Sequence, residues 1–250
     1  MKDHFAMWFD SPAGRQMLDE EAALLAEVYA TLFGYWIIQV GAWGHATELL
    51  DASKIRGRVL VAGADEGSAA VGMTSEPHAL AIAPDSVDAV LLPHTLERSS
   101  TPHAVLREAE RVLVGEGRVL ILGFNPWSLW GGRRRVAKPA RSVRLPWATG
   151  QYIGEWRMKD WLSLLGFEVI HSRRYLHGLP SEHPALLRRV EFTRTLGRRC
   201  WPRLAGGYFI VARKRVTTLT PIKPLLRARR KRRLVGGLVE PAPGSLPRSS

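Results

Sequence analysis

The first third of the chain changes from helical to strand-like spacing of its apolar residues. Residues 11–33 are predicted to form a helix, because Ser11 can cap it and apolar residues recur at helical spacing: Met17, Leu18, Leu24, Leu25, Val28 and Leu32. The runs 35–40 and 59–62 are short, apolar and closed by glycine-containing turns. These features predict two buried strands joined by a short helical segment.

The same alternation continues towards residue 212. Further strands are predicted at 77–82, 87–92, 118–123, 167–170 and 207–212. A helix is predicted to start at Pro102 and to end at Gly115 and Gly117, and another covers Met158 to Leu165. Strands alternating with helices in this way predict an α/β fold, with a mainly parallel sheet of seven strands covered by helices on both faces.

Beyond residue 216 the periodicity ends. Prolines, two glycine pairs and a dense arginine cluster follow, a composition that does not sustain a core. The interpretation is therefore a domain over residues 1–215 and a basic, disordered tail over 216–250.

Charge divides the chain more sharply than its net value of +13 suggests. Residues 1–130 hold nine lysines and arginines against 17 acidic residues, whereas residues 131–250 hold 27 against six. The basic excess concentrates in segments 133–144 and 223–233, which are predicted to attract RNA or anionic lipid.

Composition restricts the function classes. The single cysteine, Cys200, excludes an intramolecular disulfide, and three histidines spaced six apart offer no metal-ligand pattern: His171, His177 and His183. We therefore expect no metal site. No apolar run approaches the roughly 18 residues of a membrane span, and acidic Asp3 and Asp10 do not suit a signal peptide, so a cytoplasmic location is expected.

Candidate chemistry lies where the predicted strands end, because open parallel sheets bind ligands at the carboxyl ends of their strands. Gly41 and Gly44 follow the first strand, and an acid about twenty residues later suits a ribose. The alternatives are that the two glycines only form a tight turn and that the acid is a solvated loop residue. His94 follows the fourth strand as a candidate general base, and Asn125 follows the fifth as a candidate for orienting an acceptor. A hydrogen-bonded loop histidine and ordinary turn chemistry explain these two residues equally well.

One segment carries a specific family resemblance. Residues 80–97, LAIAPDSVDAVLLPHTLE, resemble the fourth-strand signature of small-molecule class I S-adenosylmethionine-dependent methyltransferases, which commonly reads LPFPDGSFDxVxxxHxLEH. Residues 106–117, LREAERVLVGEG, are similar to the helix that follows in that family, LREhxRVLKPGG. The segments 34–44, 123–131 and 236–241 look like a bacterial branch of uncharacterised methyltransferase-domain proteins.

The resemblance implies a Rossmann-like fold with a cofactor half at 35–123 and an acceptor-covering lid region at 124–165. It implies S-adenosylmethionine as the cofactor, bound by residues at three strand exits and by the histidine of the fourth: Gly41, Ala42, Gly44, Asp65, Glu76 and His94. The family's first motif, DxGxGxG, is altered in this chain. Gln39 occupies the position of the motif's acid, and Trp43 and His45 occupy the positions of its second and third glycines.

Three functions follow as hypotheses. The first is methyl transfer by in-line displacement to an unidentified acceptor. The second is a cofactor-degenerate protein with this fold that binds nucleic acid or an anionic membrane through its basic segments, which the altered first motif favours. The third is a nicotinamide-dependent oxidoreductase, against which the residues of 80–117 argue.

Overall fold

A computed structural model describes residues 8–45, 47–63, 72–128, 150–177 and 205–216. Its seven strands form one sheet in the order β3-β2-β1-β4-β5-β7-β6. The strands are β1 Trp36–Val40, β2 Gly57–Ala62, β3 Met73–Thr74, β4 Val87–Pro93, β5 Leu113–Phe124, β6 Phe167–Tyr175 and β7 Gly207–Lys214. Strands β1 to β5 pair in parallel, and β7 pairs antiparallel with both β5 and β6.

Helices cover both faces of this sheet. Helix α1, Pro12–Tyr29, begins where the Ser11 side chain accepts a hydrogen bond from Gly14 N at 3.1 Å, and it packs its apolar side on one face. Helices α3, Pro102–Val112, and α4, Glu155–Leu164, pack on the other. A single turn, α2, Thr95–Arg98, follows β4, and a 3₁₀ turn, Glu48–Leu50, connects β1 to β2. The predicted α/β fold class is therefore confirmed.

The third predicted strand is misplaced. Residues 77–82 form no strand, and β3 lies at Met73–Thr74 instead. The apolar residues of the predicted strand serve loop packing: Leu80 is buried, its N–H donates to Glu108 Oε2 at 3.0 Å, and its carbonyl accepts from Arg111 Nη2 at 3.0 Å. Polar groups of α3 therefore satisfy the backbone that a neighbouring strand would otherwise satisfy.

Three other features differ from the prediction. Helix α1 ends at Tyr29, whereas the helix was predicted to continue to residue 33. Helix α3 ends at Val112 and β5 starts at Leu113, so Gly115 and Gly117 lie within β5 instead of ending the helix. Helix α2 was not predicted at all.

The described residues up to Val216 form one compact unit. Residues 217–250, which make up nearly all of the predicted tail, lie outside the described residues. Both basic segments, 133–144 and 223–233, lie outside the described residues, so their predicted contacts with RNA or lipid stay predictions. Within the described ranges, no helix combines the length and the apolar character needed to cross a membrane.

Candidate active site

The order of the strands identifies where along the sheet a ligand would bind. From β1 the next strands, β2 and β3, are added on one side, and from its neighbour β4 the next strand, β5, is added on the other side. Crevices of open α/β sheets form at such a switch point, outside the carboxyl ends of the strands. Gly41 follows β1 there, and His94 follows β4.

The turn after β1 is held from two sides. Gly41 is buried with φ +92°, its N–H donates to Val61 O at 2.8 Å, and a side chain on it would approach Thr95 Oγ1 to 2.9 Å. The Thr95 hydroxyl donates to Val40 O, and Arg98 Nη1 donates to Ala42 O at 2.9 Å. A positive φ and this close approach together require glycine at position 41.

Gly44 has a different neighbour. Its φ is +70°, and a side chain there would lie 2.8 Å from Leu18 Cδ2 in α1. The glycine therefore permits close packing of the β1 turn under α1. Its predicted contact with a cofactor stays a prediction.

Trp43, at a position where the family motif has glycine, points into the core between α1 and the sheet. Its indole is buried, and Nε1 donates to Glu21 Oε2 at 2.9 Å. The ring centroid lies 4.3 Å from that of His94. The bulk of this residue is thus accommodated beneath α1.

His94 is the centre of a buried charge cluster. Its Nε2 lies 3.0 Å from Glu21 Oε1 and its Nδ1 3.0 Å from Glu97 Oε2, while the ring stacks on Phe124 with centroids 4.0 Å apart. All three titratable side chains are almost fully buried. Tyr175 completes the cluster by donating from its hydroxyl to Glu21 Oε1 at 2.8 Å. We call these four residues, Glu21, His94, Glu97 and Tyr175, the buried cluster.

The carboxylates decide the protonation of His94. Burial alone would lower the pKa of the imidazole, but hydrogen bonds and charges of Glu21 and Glu97 outweigh it and raise that pKa to about 9. Burial raises the pKa of Glu97. At neutral pH the ring is therefore an imidazolium that donates to both carboxylates. Neither nitrogen is available to take a proton from an acceptor in this arrangement, and the general-base role of His94 stays a prediction.

Sequence reasoning did not identify the partners of His94 in the buried cluster. Glu21 lies on the apolar side of α1 with Met17, Leu18, Leu24 and Leu25, and a lone acid on such a side was the available signal.

Asn125 organises the turn after β5. Its Nδ2 donates to Ala205 O at 3.0 Å, and its Oδ1 accepts from Trp127 N at 3.1 Å. The Nδ2 bond therefore joins the turn after β5 to the segment before β7, and the Oδ1 bond closes the turn itself. The prediction that Asn125 orients an acceptor is not tested by these bonds.

The exits of β2 and β3 lie side by side. Ser75 N donates to Ala62 O at 3.0 Å, and the exposed Glu76 places Oε1 3.7 Å from where a side chain on Gly63 would begin. Asp65 lies outside the described residues. Glu76 is thus at the strand edge predicted for it, next to the end of the strand that precedes Asp65.

Gln39 carries an unsatisfied acceptor at this edge. The side chain is fully buried, and its Nε2 donates to Gly41 O at 3.1 Å. Its Oε1 is buried as well and has no hydrogen-bond partner among the described residues. Buried polar atoms are satisfied in most proteins, so an orphan acceptor beneath the β1 turn indicates a donor that the described residues do not supply. Among the same residues, no three histidine, cysteine or acidic side chains are placed to hold a metal ion.

Comparisons with known proteins agree with this geometry. The family model described as "Methyltransferase domain" matches residues 56–121, which span β2 to β5. The uncharacterised protein YafS of Escherichia coli strain K12 is 33% identical over 228 residues, which cover 91% of this chain and 88% of that protein. The chain belongs to the class I S-adenosylmethionine-dependent methyltransferases.

Solved methyltransferases show the same fold at low identity. A methyltransferase from Thermotoga maritima has a TM-score of 0.57 and 16% identity, over 85% of this chain and 96% of its own. One from Archaeoglobus fulgidus has a TM-score of 0.56 and 15% identity, over 79% and 94%. The predicted family and the predicted enzyme class are confirmed. The altered first motif of this methyltransferase lies outside the matched residues 56–121.

Proposed function

We propose that this methyltransferase binds S-adenosylmethionine along the exits of β1, β2 and β3, and that it methylates an oxygen, nitrogen or carbon nucleophile of an acceptor with apolar surface. The orphaned Oε1 of Gln39 carries the proposal. It lies at the switch point of the sheet, where ligands of this fold bind.

Gln39 fits the amino-acid end of the cofactor. A buried carbonyl oxygen without a donor costs about 1–3 kcal/mol, and an ammonium N–H would remove that cost. A neutral amide contributes a hydrogen bond without a full charge. We therefore expect weaker binding than a carboxylate at this position would give.

The neighbouring exits fit the rest of the cofactor. The Gly41 turn has no side chain that would block the approach of a ligand to its backbone, and Glu76 offers carboxylate oxygens to hydroxyl or amino groups. Asp65 is proposed to accept hydrogen bonds from the ribose. The contacts of Ala42 and Gly44 with the cofactor belong to the same proposal.

Bound S-adenosylmethionine supplies an electrophilic methyl group, and the carbon–sulfur bond breaks as the new bond to the nucleophile forms, its electron pair passing to sulfur. The residues of this chain contribute binding and alignment, which are the main requirements of such a displacement. An acceptor that reacts through an O–H or N–H group also releases a proton. His94 is not assigned to take it, because both of its nitrogens donate within the buried cluster.

Two exposed indoles support an acceptor with apolar surface. Trp127 follows the exit of β5 and is 73% exposed, and Trp156 at the start of α4 is 84% exposed. Their segments touch, since Pro126 Cγ lies 3.8 Å from where a side chain on Gly154 would begin. Aromatic rings in such a place bind flat apolar groups at little entropic cost.

Replacing Gln39 with methionine tests the proposal. Gln39→Met keeps the length of the side chain and removes the orphan acceptor, so affinity for S-adenosylhomocysteine is expected to fall about tenfold, or about 1.4 kcal/mol. Titration calorimetry on both proteins measures this change. The thermal midpoint should change little, because the variant loses one hydrogen bond but also a buried unsatisfied atom.

Gln16→Met is the matched control, since the same chemical change is made on the surface of α1, where Gln16 Nε2 contacts Glu20 at 3.5 Å. It should bind S-adenosylhomocysteine as the wild type does. Equal affinity in the wild type and Gln39→Met would show that the amino-acid end is held elsewhere. A folded wild type that binds no S-adenosylhomocysteine would favour the cofactor-degenerate alternative.

A further inference from the structure

Side chains hold the backbone of the β1 turn through its carbonyl groups. Three successive carbonyls each accept a hydrogen bond: Val40 O from the Thr95 hydroxyl, Gly41 O from Gln39 Nε2 at 3.1 Å and Ala42 O from Arg98 Nη1 at 2.9 Å. Gln39 lies on β1 itself, whereas both other donors lie on the single turn α2, which follows β4. A different element of the fold therefore determines how the β1 turn is held.

The carbonyl bonds also set the directions of the backbone N–H groups in this turn. A trans peptide is planar, and its N–H points opposite to its carbonyl. The peptide that joins Val40 to Gly41 is held at both ends, because Gly41 N also donates to Val61 O at 2.8 Å. In the peptide that joins Ala42 to Trp43, the bond from Arg98 to the carbonyl directs the Trp43 N–H the opposite way. Thr95 and Arg98 thus orient two peptides of the β1 turn.

Thr95 is closely fitted to its acceptor. The residue is buried, and its Oγ1 lies 2.9 Å from where a side chain on Gly41 would begin. Pro93 O is a second possible acceptor, but at 3.4 Å it lies beyond the usual length of a hydroxyl hydrogen bond. The side chain is β-branched and has few rotamers, so its hydroxyl is directed at Val40 O.

The turn α2 is fixed in place on its other side. The carboxylate of the buried Glu97 accepts from Phe124 N at the end of β5, and its Oε2 lies 3.0 Å from His94 Nδ1. The carbonyl of Glu97 accepts from Gln151 N at 2.9 Å. These bonds join α2 to β5 and to the segment before α4. The donors that hold the β1 turn are therefore anchored to the rest of the sheet.

We propose that Thr95 and Arg98 are positioning residues for the cofactor, and that they hold the peptides of the β1 turn in the orientation that the ligand meets. Their role rests on the proposed function, in which S-adenosylmethionine approaches the backbone of this turn. A loop that is already held in its bound conformation loses less freedom on binding, so the affinity is higher. Both residues act through the backbone of Val40 and Ala42.

Titration calorimetry of the full chain with S-adenosylhomocysteine tests the role of Thr95. Thr95→Val keeps the shape of the side chain and removes the donor to Val40 O, so the Kd is expected to rise about tenfold. Thr95→Ser restores the hydroxyl and should recover most of the lost affinity. A side chain that served packing alone would give the opposite order, since serine lacks the methyl group that valine keeps.

Tyr208→Phe is the matched control for lost stability. It also removes a buried hydroxyl that donates to a backbone carbonyl, that of Ile153 at 2.9 Å, but it leaves the β1 turn unchanged. Its thermal midpoint should fall as that of Thr95→Val does, because each variant leaves a buried carbonyl without its donor. Its affinity for S-adenosylhomocysteine should equal that of the wild type. Equal loss of affinity in Tyr208→Phe would overturn the positioning role.

Arg98→Met is the second variant, and it keeps the test valid if Thr95→Val does not fold, since Arg98 is only partly buried. It removes the donor to Ala42 O and should also weaken binding. Wild-type affinity in both variants, with weaker binding in Gln39→Met, would overturn the positioning role and leave the proposed function standing. A folded wild type that binds no S-adenosylhomocysteine would overturn both.

Discussion

His94→Ala is expected to lower the free energy of unfolding by about 3–5 kcal/mol, the range observed when one partner of a buried ion pair is removed. In the wild type the imidazolium lies between Glu21 and Glu97, 3.0 Å from each. Without it, two buried carboxylates face the same space with no cation. Urea denaturation of the wild type and the variant at pH 7 measures the difference.

The double variant Glu21→Gln, His94→Ala separates lost charge balance from lost packing. If the carboxylates cause the loss, removing one charge should make the double variant more stable than His94→Ala. If the cavity alone causes it, the two substitutions should destabilise additively. His78→Ala, at an exposed position, is the control and should stay close to the wild type. A loss below about 1 kcal/mol in His94→Ala would contradict the charge assignment.

The second large effect is a loss of stability at alkaline pH. The folded state raises the pKa of His94 from 6.5 to about 9. A raised pKa means that the folded state binds the proton more tightly, so this stabilisation is complete below pH 6.5 and is lost as the pH rises to about 9. At about 1.4 kcal/mol per pKa unit, the full loss is about 3 kcal/mol. The raised pKa of Glu97 acts in the same direction.

Denaturation series between pH 6 and pH 9.5 test whether the free energy of unfolding falls as the pH rises. The wild type should lose stability steadily over that range, and His94→Ala should show a much flatter profile. Comparing the two slopes removes the contribution of groups that both proteins share. Nitrogen NMR shifts of the His94 ring give a second measurement, which should show a doubly protonated imidazole at pH 7. A neutral ring at that pH would refute the assignment.

The sequence predicted the architecture well where apolar runs are long. Strands β1, β2, β4, β5 and β7 fall on predicted runs, because strands inside the sheet must be apolar on both faces. The mostly exposed outer strand β6 was predicted only over its apolar start, Phe167, Val169 and Ile170. Strand β3 has two residues, too few for any periodicity, whereas the neighbouring Leu80 and Ile82 are apolar for loop packing. The prediction therefore placed the strand on the stronger apolar signal.

The candidate site was predicted unevenly for a physical reason. Strand exits follow from the positions of the strands, so Gly41 and His94 were placed at the carboxyl ends of β1 and β4. Glu76 was placed after the third strand by the family resemblance alone, because the third strand itself was predicted at the wrong residues. The partners of His94 depend on tertiary packing, since Glu21 is 73 residues away and Tyr175 81 residues away. No local pattern joins positions so distant, and the burial of Trp43 beneath α1 has the same origin.

The position of β7 bears on how the protein is made. It is the last strand in the chain, yet it lies between β5 and β6 and pairs with both. On the ribosome, β5 therefore emerges with one edge unpaired and β6 without any strand partner, and the sheet closes only after Gly207–Lys214 has left the exit tunnel. An open apolar edge is a template for association with other chains. Nascent chains that stall before residue 207 should consequently depend on chaperones, whereas those that pass residue 214 can complete the sheet by themselves.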